Sequence, residues 1–150
     1  MVTRPELRSV GLGDAGWVSE VLTRCRADEP SDPEVLRHQW ATSQLAWSRE
    51  RWAVMVAGDA VGFAAATHPP WQLEPERVGR WNLSLIPEVS GLAEEVAVQV
   101  EAMLRAEGAR SLWTGAYEDE GWLLSALGRL GYRRNQMERQ WELDLSLIHI

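Results

Sequence analysis

A loop between a predicted strand and a predicted helix, within residues 84–109, has the residue types of a phosphate-binding turn. An apolar run ends at Pro87, Gly91 follows in a short loop, and an amphipathic helix comes next. The first amide groups of a helix lack partners and attract anions, and glycine lets a phosphate approach the backbone. Three glutamates oppose this chemistry, because they repel phosphate and stabilise the first helical turn instead. They are Glu88, Glu94 and Glu95.

Proton transfer is the second chemistry that these residue types could support. Glu118 and Glu120 belong to an acidic run after a predicted strand, and His68 ends another strand before two prolines. Imidazole titrates near neutral pH, and a carboxylate can take a proton from an ammonium group, so each could act as a general base. The alternative is structural: an acidic run caps a helix, and a histidine beside prolines is typical of a turn or strand edge.

Other catalytic signatures are absent from the sequence. The three histidines and the single cysteine lack metal-ligand spacing, so we expect no metal site. All fifteen basic residues are arginine, which excludes a Schiff-base lysine and a P-loop lysine. Neither G-x-S-x-G nor a Walker loop occurs. Cys25 falls on the apolar stripe of a predicted helix, which favours packing over nucleophilic chemistry.

The composition indicates a globular protein of one domain. The chain has 150 residues, of which 45% are hydrophobic and 25% charged. Its net charge of −7 argues against nucleic-acid and membrane-surface partners, because both need clustered positive charge. No apolar run approaches the ~20 residues that span a bilayer, and the N-terminus lacks a signal-peptide pattern. We therefore expect a cytoplasmic protein.

The last six residues, LSLIHI, match the in-frame translation of a sequencing-library adapter. We expect residues 145–150 to be a non-native tail, which removes His149 from consideration as a ligand. The expected domain then covers residues 1–144, and the natural chain would continue beyond it, where a second domain could follow.

The pattern predicts two helices and a hairpin in the first half of the chain. A short strand at 7–10 precedes a helix capped by Asp14, and a second helix starts at Asp32 and Pro33. The apolar stripe predicted for the second helix is Leu36, Trp40 and Trp47. Two apolar runs in residues 51–68 flank a turn at residues 57–60 and predict an antiparallel hairpin.

The second half alternates strands and helices. Strands at 79–87 and 110–117 flank a helix over 92–107, which Gly108 ends. Its predicted inward residues are Val96, Val100, Met103 and Leu104. A further helix over 119–131 leads to a closing strand or hairpin. A β-α-β crossover beside a hairpin predicts an α/β (α+β) fold, with a mixed sheet covered by helices.

The order of these elements resembles the GNAT acyltransferase superfamily over most of residues 3–144. Four segments carry the resemblance: RWAVMVAGDAVGFAAA, the strand ending at Pro87 with its glycine loop, RAEGARSLW, and EDEGWLLSALGRLGYRR with ERQWELDL. The resemblance implies a central, splayed sheet of six to seven strands flanked by about four helices.

In that family, acetyl-CoA binds between two parallel strands that splay apart, and a Gln/Arg-x-x-Gly-x-Gly/Ala loop holds its pyrophosphate. The matching stretch here begins at Glu88 and contains Gly91 and Ala93, in a segment about two residues shorter than usual. The resemblance thus implies acetyl-CoA as cosubstrate. It places the cofactor-binding residues at Leu85, Ile86, Pro87, Gly91, Leu92 and Ala93.

The resemblance also locates the chemistry. The family tyrosine that protonates the departing thiolate corresponds to Leu127, which cannot transfer a proton, and a common asparagine corresponds to Glu120. Direct transfer depends mainly on proximity of amine and thioester, so the loss does not exclude activity. The remaining candidates for a catalytic base are Glu118, Glu120 and His68.

Two hypotheses follow. The first is an N-acyltransferase that moves an acyl group from acyl-CoA to a primary amine on a small molecule or peptide. The second is a catalytically inactive GNAT-fold domain, one half of a tandem protein, that shapes the acceptor site of a second GNAT domain. Glu88 and Leu127 favour the second hypothesis, whereas the retained Gly91 and Ala93 favour the first.

Overall fold

The structure is a computed structural model and describes residues 4–43, 46–134 and 140–145. These residues contain seven strands and four α-helices. The helices are α1 (Ala15–Cys25), α2 (Pro33–Ala41), α3 (Ala93–Glu107) and α4 (Gly121–Arg129). The strands are β1 (Glu6–Ser9), β2 (Ser48–Val56), β3 (Asp59–His68), β4 (Val78–Leu85), β5 (Ser111–Gly115), β6 (Arg133–Arg134) and β7 (Gln140–Asp144). The proposed tail, apart from Leu145, lies outside the described residues.

These strands form one sheet in the order β1-β2-β3-β4-β5-β7-β6. Within the described residues, β4 and β5 run parallel and the other neighbouring pairs are antiparallel. The parallel pair follows from α3, because a crossover helix carries the chain back to the end of the sheet where β4 began. The predicted mixed sheet is confirmed.

The hairpin between β2 and β3 turns at Ala57 and Gly58, which have φ of 51° and 87°. A two-residue turn with positive φ at both positions matches the twist of the flanking strands. Glycine adopts this conformation without a steric cost, whereas Ala57 is held there by the strands. The predicted hairpin is confirmed.

The larger hydrophobic core lies between one face of the sheet and the helices α3 and α4. Val96, Val100 and Leu104 are buried there, as the periodicity predicts. The prediction for Met103 was wrong, because this side chain is 41% exposed. The buried stripe of α3 continues through Ala97 on the other side of Val100, which leaves position 103 at the solvent edge.

The other face of the sheet carries α1 and α2 over β3. Val18 and Leu36, one from each helix, pack with Phe63 in a smaller buried cluster. Trp40 stacks on the Phe63 ring with 5.7 Å between ring centroids. This cluster fixes the first two helices above the middle of the sheet.

Helix α2 begins as predicted and ends sooner. The Asp32 carboxylate accepts the amide N–H of Glu34 at 2.8 Å, which is a side-chain cap. The Thr42 hydroxyl donates to a carbonyl of the last helical turn at 2.8 Å, and the helix stops there. The assignment of Trp47 to this helix was therefore wrong. Its ring lies under the Arg80 guanidinium instead, 5.4 Å away.

Candidate functional site

The parallel strands β4 and β5 separate before β4 ends. Their paired residues run from Val78 beside Ser111 to Trp81 beside Thr114. β4 continues to Leu85, paired over that stretch with β3 alone among the described strands. The result is an opening in the sheet, here called the β4–β5 split, whose floor is the pair Trp81 and Thr114. The predicted splay of the sheet is confirmed.

The β4 edge of the split has main-chain hydrogen-bonding groups that no described strand pairs with. Ile86 donates its amide N–H to the carbonyl oxygen of Val61, on the β3 side, at 2.9 Å. Successive residues of a strand direct their main-chain groups to opposite edges, so Leu83 and Leu85 direct theirs into the split. No described strand pairs with them there. An extended ligand that carries amide groups could add to the sheet along this edge.

A short 3-10 helix, Pro87–Leu92, connects β4 to α3. Pro87 has no N–H to offer a ligand, and Leu92 packs partly against the core. The amide of Ala93 already donates to the carbonyl of Ser90. By contrast, a Cβ added at Gly91 would meet no atom within 4 Å, so the loop backbone is open there. Among the predicted cofactor residues, Gly91 thus has the open backbone, whereas Leu85 is 2% exposed and offers main-chain groups that no described strand pairs with on the β5 side.

The charges around the N-terminus of α3 are mixed. Arg129 of α4 lies 3.3 Å from the Glu94 carboxylate, and Arg4 lies 3.8 Å from Glu95. Both pairs are largely exposed, so each is weak and screened by salt. Glu88 is exposed at the start of the loop. Among the described residues, Glu88, Glu94 and Glu95 thus face the cations Arg4 and Arg129 here, and α4 contributes Arg129.

The loop between β5 and α4 forms the opposite wall of the split. The Glu120 carboxylate accepts the amide N–H of Tyr117 at 2.8 Å, which fixes the loop. Burial raises the pKa of Glu120, opposed by this hydrogen bond and by the charge of Arg26. Arg26, which follows α1, donates to both carboxylate oxygens of Asp119 at 3.0 Å and covers the Tyr117 ring at 4.4 Å. These contacts hold the end of α1 against this wall.

Cys25 is the last residue of α1 and lies half-buried against the core. Burial raises the pKa of its thiol to about 12, and the charges of Glu120 and Glu88 act in the same direction. The thiol therefore stays protonated at neutral pH and is a poor nucleophile. Its packing agrees with the sequence interpretation.

A hydrogen-bonded chain of buried side chains lies beneath the floor of the split. The Trp81 indole N–H donates to the Tyr132 hydroxyl at 2.9 Å, and that hydroxyl donates to Glu101 at 2.8 Å. Leu127, the position that the resemblance assigns to a proton donor, is completely buried. The Tyr132 proton is committed to Glu101, so this tyrosine does not replace the missing donor.

The structure separates the two remaining predicted bases. Glu118 lies in the loop after β5 with its side chain 86% exposed, 3.9 Å from Arg134 of β6, on the side of β5 opposite β4. His68 lies near the C-terminal end of α3, where its ring nitrogens contact the Pro69 carbonyl at 2.7 Å and the Glu107 carboxylate at 2.8 Å. Because α3 has 15 residues, its length puts His68 about 20 Å from the loop at residue 91. His68 thus lies far from the loop at residue 91, although its neighbour Thr67 pairs with Arg80, the residue before Trp81 at the floor of the split. Its role as a base stays a prediction.

Sequence reasoning missed Glu101 and Arg129. Glu101 follows Ala97 by four residues and precedes Leu104 by three, a spacing that places it on the buried stripe and could have revealed it. Arg129 gave no such signal, because its approach to α3 depends on how the two helices pack. No cluster of His, Cys, Asp and Glu among the described residues could hold a metal ion. None of the described helices is long and apolar enough to cross a membrane.

Comparison with solved structures identifies this architecture. An aminoglycoside acetyltransferase, AAC(6')-Ib, in complex with coenzyme A is similar with a TM-score of 0.74 and 13% identity over 95% of each chain. An acetyltransferase from Thermus thermophilus has a TM-score of 0.73 and 16% identity, over 97% of this chain and all of its own. The GNAT domain of S. lividans PAT has a TM-score of 0.74 and 14% identity, over 97% of this chain and 95% of its own.

The likeness is one of fold. No protein-family model matches the sequence, and no curated protein matches it either. The chain has the GNAT acetyltransferase fold over nearly all its length, and the resemblance seen in the sequence is confirmed at that level.

Proposed function

We propose that this protein is an acyl-CoA-dependent N-acyltransferase, with acetyl-CoA as cosubstrate and a primary amine on a small molecule or peptide as acceptor. The observation that carries the proposal is the β4–β5 split, where Leu83 and Leu85 present main-chain groups that no described strand uses. The pantetheine arm of coenzyme A is an extended chain with amide groups, which suits such an edge. The coenzyme A bound to an aminoglycoside acetyltransferase of the same fold supports this assignment.

The phosphates of the cosubstrate would lie at the loop before α3. The open backbone at Gly91 and the dipole of a 15-residue helix favour an anion there. Arg129 adds a guanidinium that can turn from Glu94 to a phosphate, because the pair is exposed and weak. Glu88 opposes binding, so we expect moderate rather than tight affinity.

Acyl transfer needs the amine and the thioester held close together, and this proximity supplies most of the acceleration. The amine would enter from the side of α1 and α2. Glu120 is our candidate for the base that takes the ammonium proton, because its raised pKa brings it closer to the working pH. Glu118 is the more exposed second candidate. With Leu127 in place of a donor, the departing thiolate would take its proton from water.

Calorimetric titration of the protein with acetyl-CoA tests the proposal. We expect a dissociation constant in the micromolar range, which corresponds to a binding free energy of about −8 kcal/mol. ATP is the matched control, because it carries adenine and phosphates without pantetheine and should give little heat. Release of free thiol from acetyl-CoA should then be assayed with an aminoglycoside and with spermidine, the acceptors named for two structures of this fold.

A second candidate function is a non-catalytic GNAT-fold domain that shapes the acceptor site of a second GNAT domain. The specific observation in its favour is the completely buried Leu127 at the position of the proton donor. The first turn of α3, with Glu94 and Glu95, agrees with it. Absence of heat at millimolar acetyl-CoA would exclude the first candidate and favour this one. A cytoplasmic location and the absence of nucleic-acid and membrane partners stay predictions.

A further inference from the structure

The hydroxyl of Thr114 is buried and has no hydrogen-bond partner among the described residues. Thr114 is only 3% exposed, and its neighbour on β4, Trp81, donates its indole N–H to Tyr132 instead. Buried polar groups are nearly always hydrogen-bonded in folded proteins, because an unpartnered one destabilises the fold. The Thr114 hydroxyl is therefore available to a ligand, and what distinguishes it from other such groups is its place in the split.

The position of Thr114 shows which ligand that would be. It is the last residue of β5 paired with β4, so it stands at the floor of the β4–β5 split. Its side chain points to the same face of the sheet as Leu112 and Ala116, both buried in the core beneath α3 and α4. The loop Pro87–Leu92, which would hold the phosphates, leads into α3 on this face. A cosubstrate that extends from this loop into the split would therefore bring its acyl end to Thr114.

We propose that the Thr114 hydroxyl binds the carbonyl oxygen of the acyl thioester. This inference rests on the proposed function, in which Leu83 and Leu85 hold the amides of the pantetheine arm. Two residues of a strand span about 6–7 Å. The next β4 residue after Leu83 that faces the split is therefore Trp81, which pairs with Thr114. The group at the end of an acyl-CoA is a carbonyl, which accepts hydrogen bonds and donates none. A hydroxyl that lacks a partner is its complement.

The substitution Thr114→Val tests this inference, because valine keeps the shape and removes the hydroxyl. Acetyl-CoA should bind about three- to tenfold more weakly to the variant, as expected for one lost hydrogen bond. Coenzyme A, which has no acyl carbonyl, should bind both proteins equally. The melting temperature should rise by about 2–4 °C, because the unpartnered hydroxyl of the free protein is gone.

Two further variants complete the experiment. Thr114→Ser keeps the hydroxyl and should keep the affinity for acetyl-CoA. Thr67→Val removes another buried hydroxyl without a partner among the described residues. Thr67 pairs with Arg80, so its side chain lies on the opposite face of the sheet from Trp81 and Thr114, and both affinities should stay unchanged. The inference is wrong if Thr114→Val leaves the ratio of the two affinities unchanged while both ligands still bind. If neither ligand binds the unsubstituted protein, the proposed function itself fails.

Discussion

At the scale of single residues, the most unusual group is the carboxyl of Glu101. It is 6% exposed, the one carboxyl among the buried side chains of the described residues, and the Tyr132 hydroxyl is its hydrogen-bond donor. Burial raises its pKa, while the hydrogen bond and the nearby charge of Arg105 act in the opposite direction. An acid whose pKa is raised by folding binds its proton more tightly in the folded state. Stability therefore falls as the pH rises from the unfolded pKa through the folded one.

This sign gives a prediction for Glu101→Gln. The amide can still accept from Tyr132 and never becomes charged, so the variant should gain free energy of unfolding relative to the unsubstituted protein as the pH rises. The gain should be on the order of 1 kcal/mol near pH 7 and should vanish near pH 4. Urea unfolding at both pH values measures it.

Glu95→Gln is the control for this experiment. It removes a carboxyl from the same helix, but the Glu95 side chain is 42% exposed. It should show no comparable dependence on pH. A difference between Glu101→Gln and the unsubstituted protein that is the same at both pH values would contradict the buried-carboxyl argument. Such a result would mean that Glu101 does not change its proton affinity on folding.

At the scale of elements, the loop from β4 into α3 decides how well a phosphate is held. Glu88 stands where the family resemblance calls for glutamine or arginine, and it is exposed beside the loop. Glu88→Arg exchanges a repulsive charge for an attractive one, worth about 1–2 kcal/mol near a surface. We expect acetyl-CoA to bind roughly 5–30 times more tightly to this variant, as measured by calorimetry.

The matched control is Glu76→Arg, which changes the net charge equally at an exposed position between β3 and β4. That connection lies at the opposite end of β4 from the split, so the affinity should change little. If both variants bind acetyl-CoA more tightly to the same extent, the cause is the net charge of the molecule and not the position of Glu88. No tightening by either would show that Glu88 does not face the phosphates.

The elements that sequence could predict are those set by local patterns. The hairpin follows from the turn at Gly58, the start of α2 from Asp32, and the parallel pair from a helix between two strands. The failures arise where tertiary contacts decide. Trp47 lies outside its predicted helix because the Thr42 hydroxyl bonds to the last helical turn and α2 ends at Ala41.

The candidate site was predictable only in part for the same reason. The loop at Gly91 follows from a strand–loop–helix pattern, and the splay is what the family resemblance implies. Which main-chain groups face the split depends on strand register, and register sends the Ile86 amide to Val61 and leaves Leu83 facing the opening. The pairing of Arg129 with Glu94 depends on the packing of α4 against α3, which no local pattern encodes.

At the scale of the whole molecule, the net charge of −7 bears on the encounter with acyl-CoA. The cosubstrate is itself an anion, so the two repel each other at long range, although Arg129 attracts phosphate at short range. Salt screens the long-range repulsion before the short-range attraction, because the Debye length falls from about 30 Å at 0.01 M to about 10 Å at 0.1 M. Salt should therefore change the association rate and the dissociation rate differently.

We predict that the association rate of acetyl-CoA rises between about 10 and 100 mM NaCl, by roughly twofold or more, because the repulsion is screened. The dissociation rate should rise as well, since salt weakens the contact between phosphate and Arg129 at the exposed end of the site. Stopped-flow tryptophan fluorescence can measure both rates, because Trp81 lies at the floor of the split. An association rate that falls with salt would show that the local field of the arginines, rather than the net charge, steers the cosubstrate into the site.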